Sequence, residues 1–359
     1  MQLRTAVIIL NWNTRDYLSR FLPALVDSLK GKDAELIVAD NGSTDGSVDM
    51  MERDFPAIRT IALESNFGFT GGYNRAVRQL LDSTSSHPDY LVLINSDILV
   101  SENWLNPLVQ YMDSHPDCGI CGPKLHALSI EDGKMVTSDR FEYAGAAGGY
   151  LDRYGFPFCR GRVMKRTEMD CGQYDAQADL MWVSGACLMT RSSLWKELGG
   201  LDERFFAHME EIDYCWRAQR MGYKVACISS SCVHHLGGGT LSNDSPFKLK
   251  LNYRNSLLML EKNLPGTIGA KRAGRLIMTR RLIDRCASIA YLLSGRTECC
   301  KAVIQAHKEY RQLRGARTDE GRTEIDGMFG FSIIIQSLLR GDGVFKYVKR
   351  YEDSHSRCR

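Results

Sequence analysis

Four polar clusters punctuate the first hundred residues: Asn11-Trp-Asn13, Asp40–Asp45, Asn66–Asn74 and Asn95-Ser-Asp97. Two denser groups follow later, His208-Met-Glu-Glu-Ile-Asp213 and His234-His235. A carboxylate fixed at a strand end suits a hard divalent cation, which takes oxygen ligands and keeps waters for substrate phosphates. Asp97 is the first candidate for such a ligand. His234 or His235 could add an imidazole, which Mn²⁺ tolerates. Glu210 and Glu211 open a helix, where carboxylates favour the positive dipole end, and a carboxylate left over at such a terminus could act as a general base. Asp213 and Arg217 stand i,i+4 and read as a stabilising pair. The Gly68-Phe-Thr-Gly-Gly72 turn lacks the lysine and spacing of a Walker loop and the spacing of a dinucleotide fingerprint. Cys118-Gly-Ile-Cys121 has zinc or redox spacing, but no second such pair follows, so it reads as packing.

The elements that must carry these clusters alternate. Ala6–Leu10 is a continuous apolar run, as in a strand buried on both faces, and Tyr17–Leu29 has helical spacing. Strands follow at Glu35–Ala39, Arg59–Leu63 and Tyr90–Asn95, and helices at Ser47–Asp54 and about Tyr73–Leu81. This rhythm predicts right-handed βαβ units in an α/β sheet. The polar clusters then fall beyond the carboxyl ends of the strands, where open sheets of this kind bind ligands. Residues 125–180 read as loops and short strands over one end of the sheet. Leu180–Thr190 reads as a buried strand, Ser192–Leu198 and Glu211–Met221 as helices, and Lys224–Ser229 as a strand. Beyond Pro265 the pattern is one of basic amphipathic helices.

Composition narrows the function classes. The 359 residues are 44% hydrophobic and 25% charged, which excludes a disordered, collagenous or disulfide-scaffold chain. The net charge of +3 hides an asymmetry: residues 265–359 hold 19 Lys and Arg against 10 Asp and Glu, leaving residues 1–264 acidic. The balance does not point to nucleic acid, whereas the basic segment could meet phosphates or an anionic membrane. Twelve scattered cysteines in a chain of this size are expected to be reduced thiols of a cytoplasmic protein. Only a short apolar run follows Met1–Thr5, so no secretory leader is expected. No run reaches the roughly 18 apolar residues of a membrane span.

Taken in order, the motifs resemble the inverting family-two glycosyltransferases of GT-A fold, in particular the bacterial rhamnosyltransferase-like and galactofuranosyltransferase-like members. The carrying residues are Val7-Ile-Ile-Leu-Asn-Trp-Asn13, Val38-Ala-Asp-Asn-Gly-Ser-Thr-Asp-Gly46, Asn66-Phe-Gly-Phe-Thr-Gly-Gly-Tyr-Asn74 and Leu93-Ile-Asn-Ser-Asp97. Trp182-Val-Ser-Gly-Ala-Cys-Leu-Met189, Leu198-Gly-Gly-Leu-Asp-Glu-Arg-Phe-Phe206, Glu210-Glu-Ile-Asp213, Arg217 and Val233-His-His235 continue them. The resemblance implies a Rossmann-like mixed sheet flanked by helices over residues 1–264, with a nucleotide-sugar half at about 1–124 and an acceptor half at about 125–264. Residues 265–359 would form a C-terminal helical extension.

The resemblance also implies site roles. Leu10 and Trp12 would line the nucleotide pocket, Asp40 would bind the base, and Gly72 and Asn74 would sit against ribose and diphosphate. Asn95-Ser96-Asp97 stands where the family's DxD lies, with Asn95 in place of the first aspartate and Asp97 on Mn²⁺ or Mg²⁺. His234 would complete the metal site. Glu211, in place of an aspartate, falls at the catalytic base, with Trp182 and Glu210 toward the acceptor. The implied activity moves a sugar from a nucleoside-diphosphate donor, with dTDP-rhamnose or else a UDP-sugar expected, to a glycan hydroxyl. A lipid-linked acceptor in cell-surface polysaccharide synthesis would bring the enzyme to the inner face of the membrane. A sugar nucleotidyltransferase or a non-catalytic carbohydrate-binding protein are the competing readings. The first would want a basic glycine-rich loop near the N-terminus, and residues 10–20 offer only Arg15 and Arg20.

Overall fold

The computed structural model describes residues 4–83, 87–237, 245–315 and 322–356, so Met1–Leu3 lie outside it. In chain order the first elements are β1 (Thr5–Asn11), α1 (Arg15–Leu29), β2 (Ala34–Asp40), α2 (Ser47–Asp54), β3 (Arg59–Ala62), α3 (Gly68–Ser83), β4 (Tyr90–Ile94), β5 (Ile98–Val100) and α4 (Leu105–Ser114). Next come β6 (Cys118–Glu131), β7 (Lys134–Phe141), the short strands β8 (Gly149–Leu151), β9 (Pro157–Cys159), β10 (Arg162–Val163) and β11 (Arg166–Thr167), then β12 (Cys187–Arg191), α5 (Ser192–Leu198), α6 (Glu210–Arg220) and β13 (Lys224–His235). The chain closes with α7 (Pro246–Asn263), α8 (Pro265–Ile268), α9 (Ala270–Leu293), α10 (Thr297–Leu313), α11 (Ile333–Arg340) and α12 (Val344–Ser356).

The main sheet runs β3-β2-β1-β4-β12-β6-β13-β5, with β7 hairpinned onto β6. The β3-β2-β1-β4 half is parallel, β12 joins it antiparallel to both β4 and β6, and β13 lies parallel to β6. β1 shows why its apolar run is unbroken. Ala6 and Ile8 enter a core with α3 on one face, while Val7 and Ile9 enter a core with α1 and α4 on the other. The carboxyl ends of β1 and β2 are level, Asn11 opposite Asp40.

Three expectations need correction. The helix placed at Tyr73–Leu81 starts five residues earlier, at Gly68, because the Asn66 side chain accepts the Gly68 N–H at 2.8 Å and opens the helix inside the glycine-rich turn. The strand placed at Leu180–Thr190 is confined to Cys187–Arg191. Its first residues are buried but irregular, and Gln219 Nε2 donates to the Leu180 and Met181 carbonyls in place of a neighbouring strand. The strand placed at Lys224–Ser229 runs on to His235 after a register shift between Ile228 and Cys232.

The segment beyond residue 264 packs on the body. Phe329, Phe331, Ile333, Val344 and Val348 belong to the same core as Tyr150 and Phe158 of the small β8–β11 sheet. Glu352 on α12 accepts from Arg160 Nε and Nη2, both at 3.0 Å, and from Tyr150 Oη at 2.6 Å, all buried. Among the described residues no helix is long and apolar enough to cross a membrane.

Candidate active site

The carboxyl ends of β1, β2 and β4 are tied together by side chains. Asn11 Nδ2 donates to Asp40 Oδ2 at 2.6 Å, and the Ser43 N–H donates to Asp40 Oδ1 at 2.8 Å. Thr14 Oγ1 bridges Asn11 Oδ1 and Ser96 Oγ at 2.5 and 2.9 Å. This fixes Asp40 and Ser96 on one edge. Trp12, which follows Asn11 directly, is 40% exposed and offers an open aromatic face at this edge. Gly72 lies under Leu10, where an added Cβ would come within 2.7 Å of the leucine methyl. Asn74 is placed otherwise than the sequence implied. Its amide donates to the Leu201 carbonyl at 2.8 Å and accepts from the Leu201 N–H at 2.9 Å, so it holds the Gly199–Leu201 turn and its polar atoms are engaged there.

Asp97 is buried directly after β4, and its partner is His235 rather than His234. His235 Nε2 lies 3.2 Å from Asp97 Oδ1, and its Nδ1 lies 3.2 Å from Glu142 Oε2. Successive strand residues point to opposite faces, so His234 turns away, toward His126 and Cys232. Burial works against the charged imidazole of His235, but the two carboxylates outweigh it and hold the group up at about 10. Two carboxylates around one imidazole mark a place that demands positive charge. The donors fit a divalent ion: ligands about 2.1 Å from an octahedral cation lie ~3 Å apart, and Asp97 and His235 offer oxygen and nitrogen at 3.2 Å. Glu142 would steady the far nitrogen of that imidazole, as carboxylates commonly do for metal-binding histidines. Nothing in the local sequence announces Glu142, whose role arises only when the β6–β7 hairpin returns it to the sheet.

The third component is the start of α6. Phe206, His208 and Met209 all have positive φ, at 65°, 71° and 71°, a strained run of non-glycine residues. Asn255 on α7 braces it, its amide donating to the carbonyls of Phe205, Ala207 and His208 at 2.7–2.9 Å. Arg254 Nη2 adds a bond to the Phe205 carbonyl at 2.8 Å. Neither residue carries a motif that sequence reading could have found. The brace presents Glu210 and Glu211 at the helix N-terminus. Oε2 of each is shielded from solvent and has no hydrogen-bond partner among the described residues. Burial raises both carboxyls, Glu211 to about 7 and Glu210 well above the ordinary range, where repulsion from Glu211 adds to it. Asp213 is different, being buried against Arg217 Nε at 2.8 Å, Lys262 Nζ at 3.0 Å and Asn263 Nδ2 at 2.8 Å. It is the stabilising partner its spacing predicts.

Residues 184–186 join Glu211 to the strand ends. The Asn95 N–H donates to the Ala186 carbonyl at 2.9 Å, and the Glu211 side chain packs on Gly185, where an added Cβ would lie 3.4 Å from the glutamate Cβ. Two expected acceptor contacts are buried instead. Trp182 is 3% exposed, packed on Gly149 with its indole N–H on the Tyr150 carbonyl at 3.3 Å, and Glu210 is enclosed in the protein. Cys118 and Cys121 are buried free thiols of β6, as packing requires.

A mixed sheet with carboxylates and an imidazole gathered at its strand ends is the arrangement of a GT-A glycosyltransferase. Comparison supports the class: residues 6–167 match the Glycosyl transferase family 2 profile. It is 25% identical to the N-acetylglucosaminyl-diphospho-decaprenol L-rhamnosyltransferase of Mycobacterium tuberculosis over 71% of this chain and 83% of that one. It is 23% identical to the rhamnosyltransferase WbbL of Escherichia coli over 52% of this chain and 69% of that one. Among solved structures, GalNAc-T7 with UDP, GalNAc and Mn²⁺ superposes with a TM-score of 0.55 at 15% identity, over 72% of this chain and 48% of that one. The chain thus spans about half the length of that neighbour. Staphylococcus aureus TarS residues 1–349 with UDP-GlcNAc gives 0.51 at 13% identity, over 99% of this chain and 92% of that one.

Proposed function

We propose that this protein transfers a sugar, with inversion at its anomeric carbon, from a nucleoside-diphosphate donor to a hydroxyl of a glycan acceptor. The observation that carries the reading is Glu211, a carboxylate with an unpartnered, shielded oxygen and a pKa near 7, held at a helix start beside the Asn95–Asp97 strand end. Glu211 takes the proton of the acceptor hydroxyl as that oxygen attacks the carbon opposite the departing diphosphate. Burial and repulsion from Glu211 push the Glu210 carboxyl well above the ordinary range, which disfavours its ionised form as a rival base. Asp97 and His235 would hold Mn²⁺ or Mg²⁺, which supplies positive charge for the leaving diphosphate. Asp40, Ser96, Leu10 and Trp12 line the nucleotide end.

The donor in this reading is dTDP-rhamnose and the acceptor a lipid-linked glycan; rhamnosyl transfer is supported by the names of the mycobacterial and enterobacterial relatives, and the lipid-linked acceptor by the decaprenol in the mycobacterial name. A panel of nucleotide sugars with Mn²⁺ tests it: release of nucleoside diphosphate is expected, with dTDP-rhamnose preferred. Pyrophosphate release would instead indicate a nucleotidyltransferase.

A lipid-linked acceptor would draw the enzyme to the inner face of a membrane, and α9 supports that location. Its inward face is mixed, with Ala273 and Ile277 in the core and Arg280 buried against Asp284 at 3.0 Å and stacked on Phe156. Arg280 is therefore not available to lipid. The outward face carries Met278, Leu282, Ile289 and Leu293 at helical spacing, interspersed with Arg275 and Arg285. Leu338 and Leu339 on α11 are 81% and 75% exposed. Apolar stripes with nearby arginines suit an anionic interface, each cation adding about 1 kcal/mol. Because residues after 264 share the core, truncation is a poor test. Leu338→Asp combined with Leu339→Asp should reduce co-sedimentation with anionic vesicles, and equal binding by wild type and variant would remove the membrane claim.

A further inference from the structure

The face of β13 opposite the active site holds a second cluster of metal-binding side chains. The bulge after Ile228 rephases the strand so that Cys232 pairs with Lys124 and His234 with His126 on β6. Cys232 and His234, two residues apart, therefore share a face with His126, while His235 points through to Asp97. One ligand atom from each of His126, Cys232 and His234 lies within 4.8 Å of the others. His126 Nδ1 is 3.2 Å from Cys232 Sγ. Its other nitrogen, Nε2, is 3.0 Å from Asp170 Oδ2, and Lys124 Nζ fixes that carboxylate at 2.8 Å. A carboxylate on the far nitrogen of an imidazole sets the tautomer that leaves Nδ1 free to ligate, the usual support of a metal-binding histidine.

We propose that His126, Cys232 and His234 bind Zn²⁺, separately from the oxygen-seeking ion at Asp97 and His235. The thiolate and two imidazoles form a donor set for a borderline-soft cation, whereas Mg²⁺ and Mn²⁺ favour carboxylate, carbonyl and water. Binding replaces the thiol proton: Cys232 S–H, hydrogen-bonded to His126 Nδ1, releases H⁺ to solvent and its sulfur bonds the ion. Cys232 and His234 are partly exposed, so water can fill the fourth position of a tetrahedral ion. The bound ion would lock the β6–β13 register directly behind His235.

The test uses the full chain, reduced and freed of metal, titrated with Co²⁺ as a spectroscopic probe without nucleotide. One equivalent should produce a thiolate-to-cobalt absorption band with intense tetrahedral visible bands, and one equivalent of Zn²⁺ should abolish them. Cys232→Ser should remove the thiolate band. His234→Gln, at a partly exposed position, should weaken binding, and Asp170→Asn should do so by about 10–100-fold. Asp97→Asn should leave the spectrum unchanged. Circular dichroism confirms that each variant is folded, and His234→Gln serves if Cys232→Ser does not fold. Absence of the thiolate band in wild type, its persistence in Cys232→Ser, full-affinity binding in His234→Gln, or its loss in Asp97→Asn would each overturn the assignment.

Discussion

Glu211 combines two properties that pull against each other in the folded state. Its position supports proton abstraction, and its burial penalises the charge that abstraction requires. With the carboxyl raised to about 7, turnover should rise with pH through that region as the base becomes available. Stability runs the opposite way. The unfolded chain loses this proton near the ordinary glutamate value while the folded chain retains it, so stability from this site is present at low pH and is lost as pH rises toward 7. Glu211→Gln should therefore lower kcat by about 10²–10⁴, keep donor affinity, and melt higher than wild type at pH 8 but not at pH 4. A lower melting temperature at pH 8 would contradict the burial argument. The two histidines make a sharper comparison. Calorimetry with Mn²⁺ and donor should show binding lost in His235→Ala and retained in His234→Ala, since only His235 faces Asp97.

At the level of elements, the clearest dependence is that of the α6 start on α7. Asn255→Ala removes the amide serving three carbonyls of a strained loop. Urea unfolding should show a loss of about 1–3 kcal/mol, accompanied by reduced kcat as Glu211 loses its fixed position. An unchanged kcat with full destabilisation would make the brace purely structural. Local periodicity was a good guide to the elements themselves, and α2 and α5 occupy the ranges their spacing predicts. Apolar alternation and turn residues are local signals, legible in one sequence. Which histidine meets Asp97 was not legible. It depends on the pleat phase of β13, which the bulge before Cys232 resets. Trp182 lies in a motif yet packs on Gly149, and Glu142 and Asn255 act through contacts distant in sequence. Motifs pointed to the sheet edge where Asp40, Ser96 and Asp97 gather, but long-range packing decides which atoms face it.

Across the whole molecule, the buried Arg160–Glu352 pair ties the region of the small sheet to α12. Removing one partner leaves the other charged and unpaired in the interior, so Glu352→Ala should cost about 3–5 kcal/mol, read by urea or thermal unfolding. Exchanging both residues for apolar ones of similar volume should cost much less, because no orphaned charge remains. The order of the main sheet has a further consequence, for the nascent chain. Strands β3, β2, β1 and β4 can pair once Ile94 has been synthesised, but the free edge of β4 is covered only by β12, whose last residue is Arg191. At ~5–20 residues per second the interval lasts on the order of 5–20 s. Throughout it, Tyr90-Leu-Val-Leu-Ile94 presents an open, uncharged edge of the kind that recruits strands from other chains. A pause in translation before residue 187 therefore prolongs the life of an adhesive intermediate, and a chaperone that covers β4 would be needed longest there.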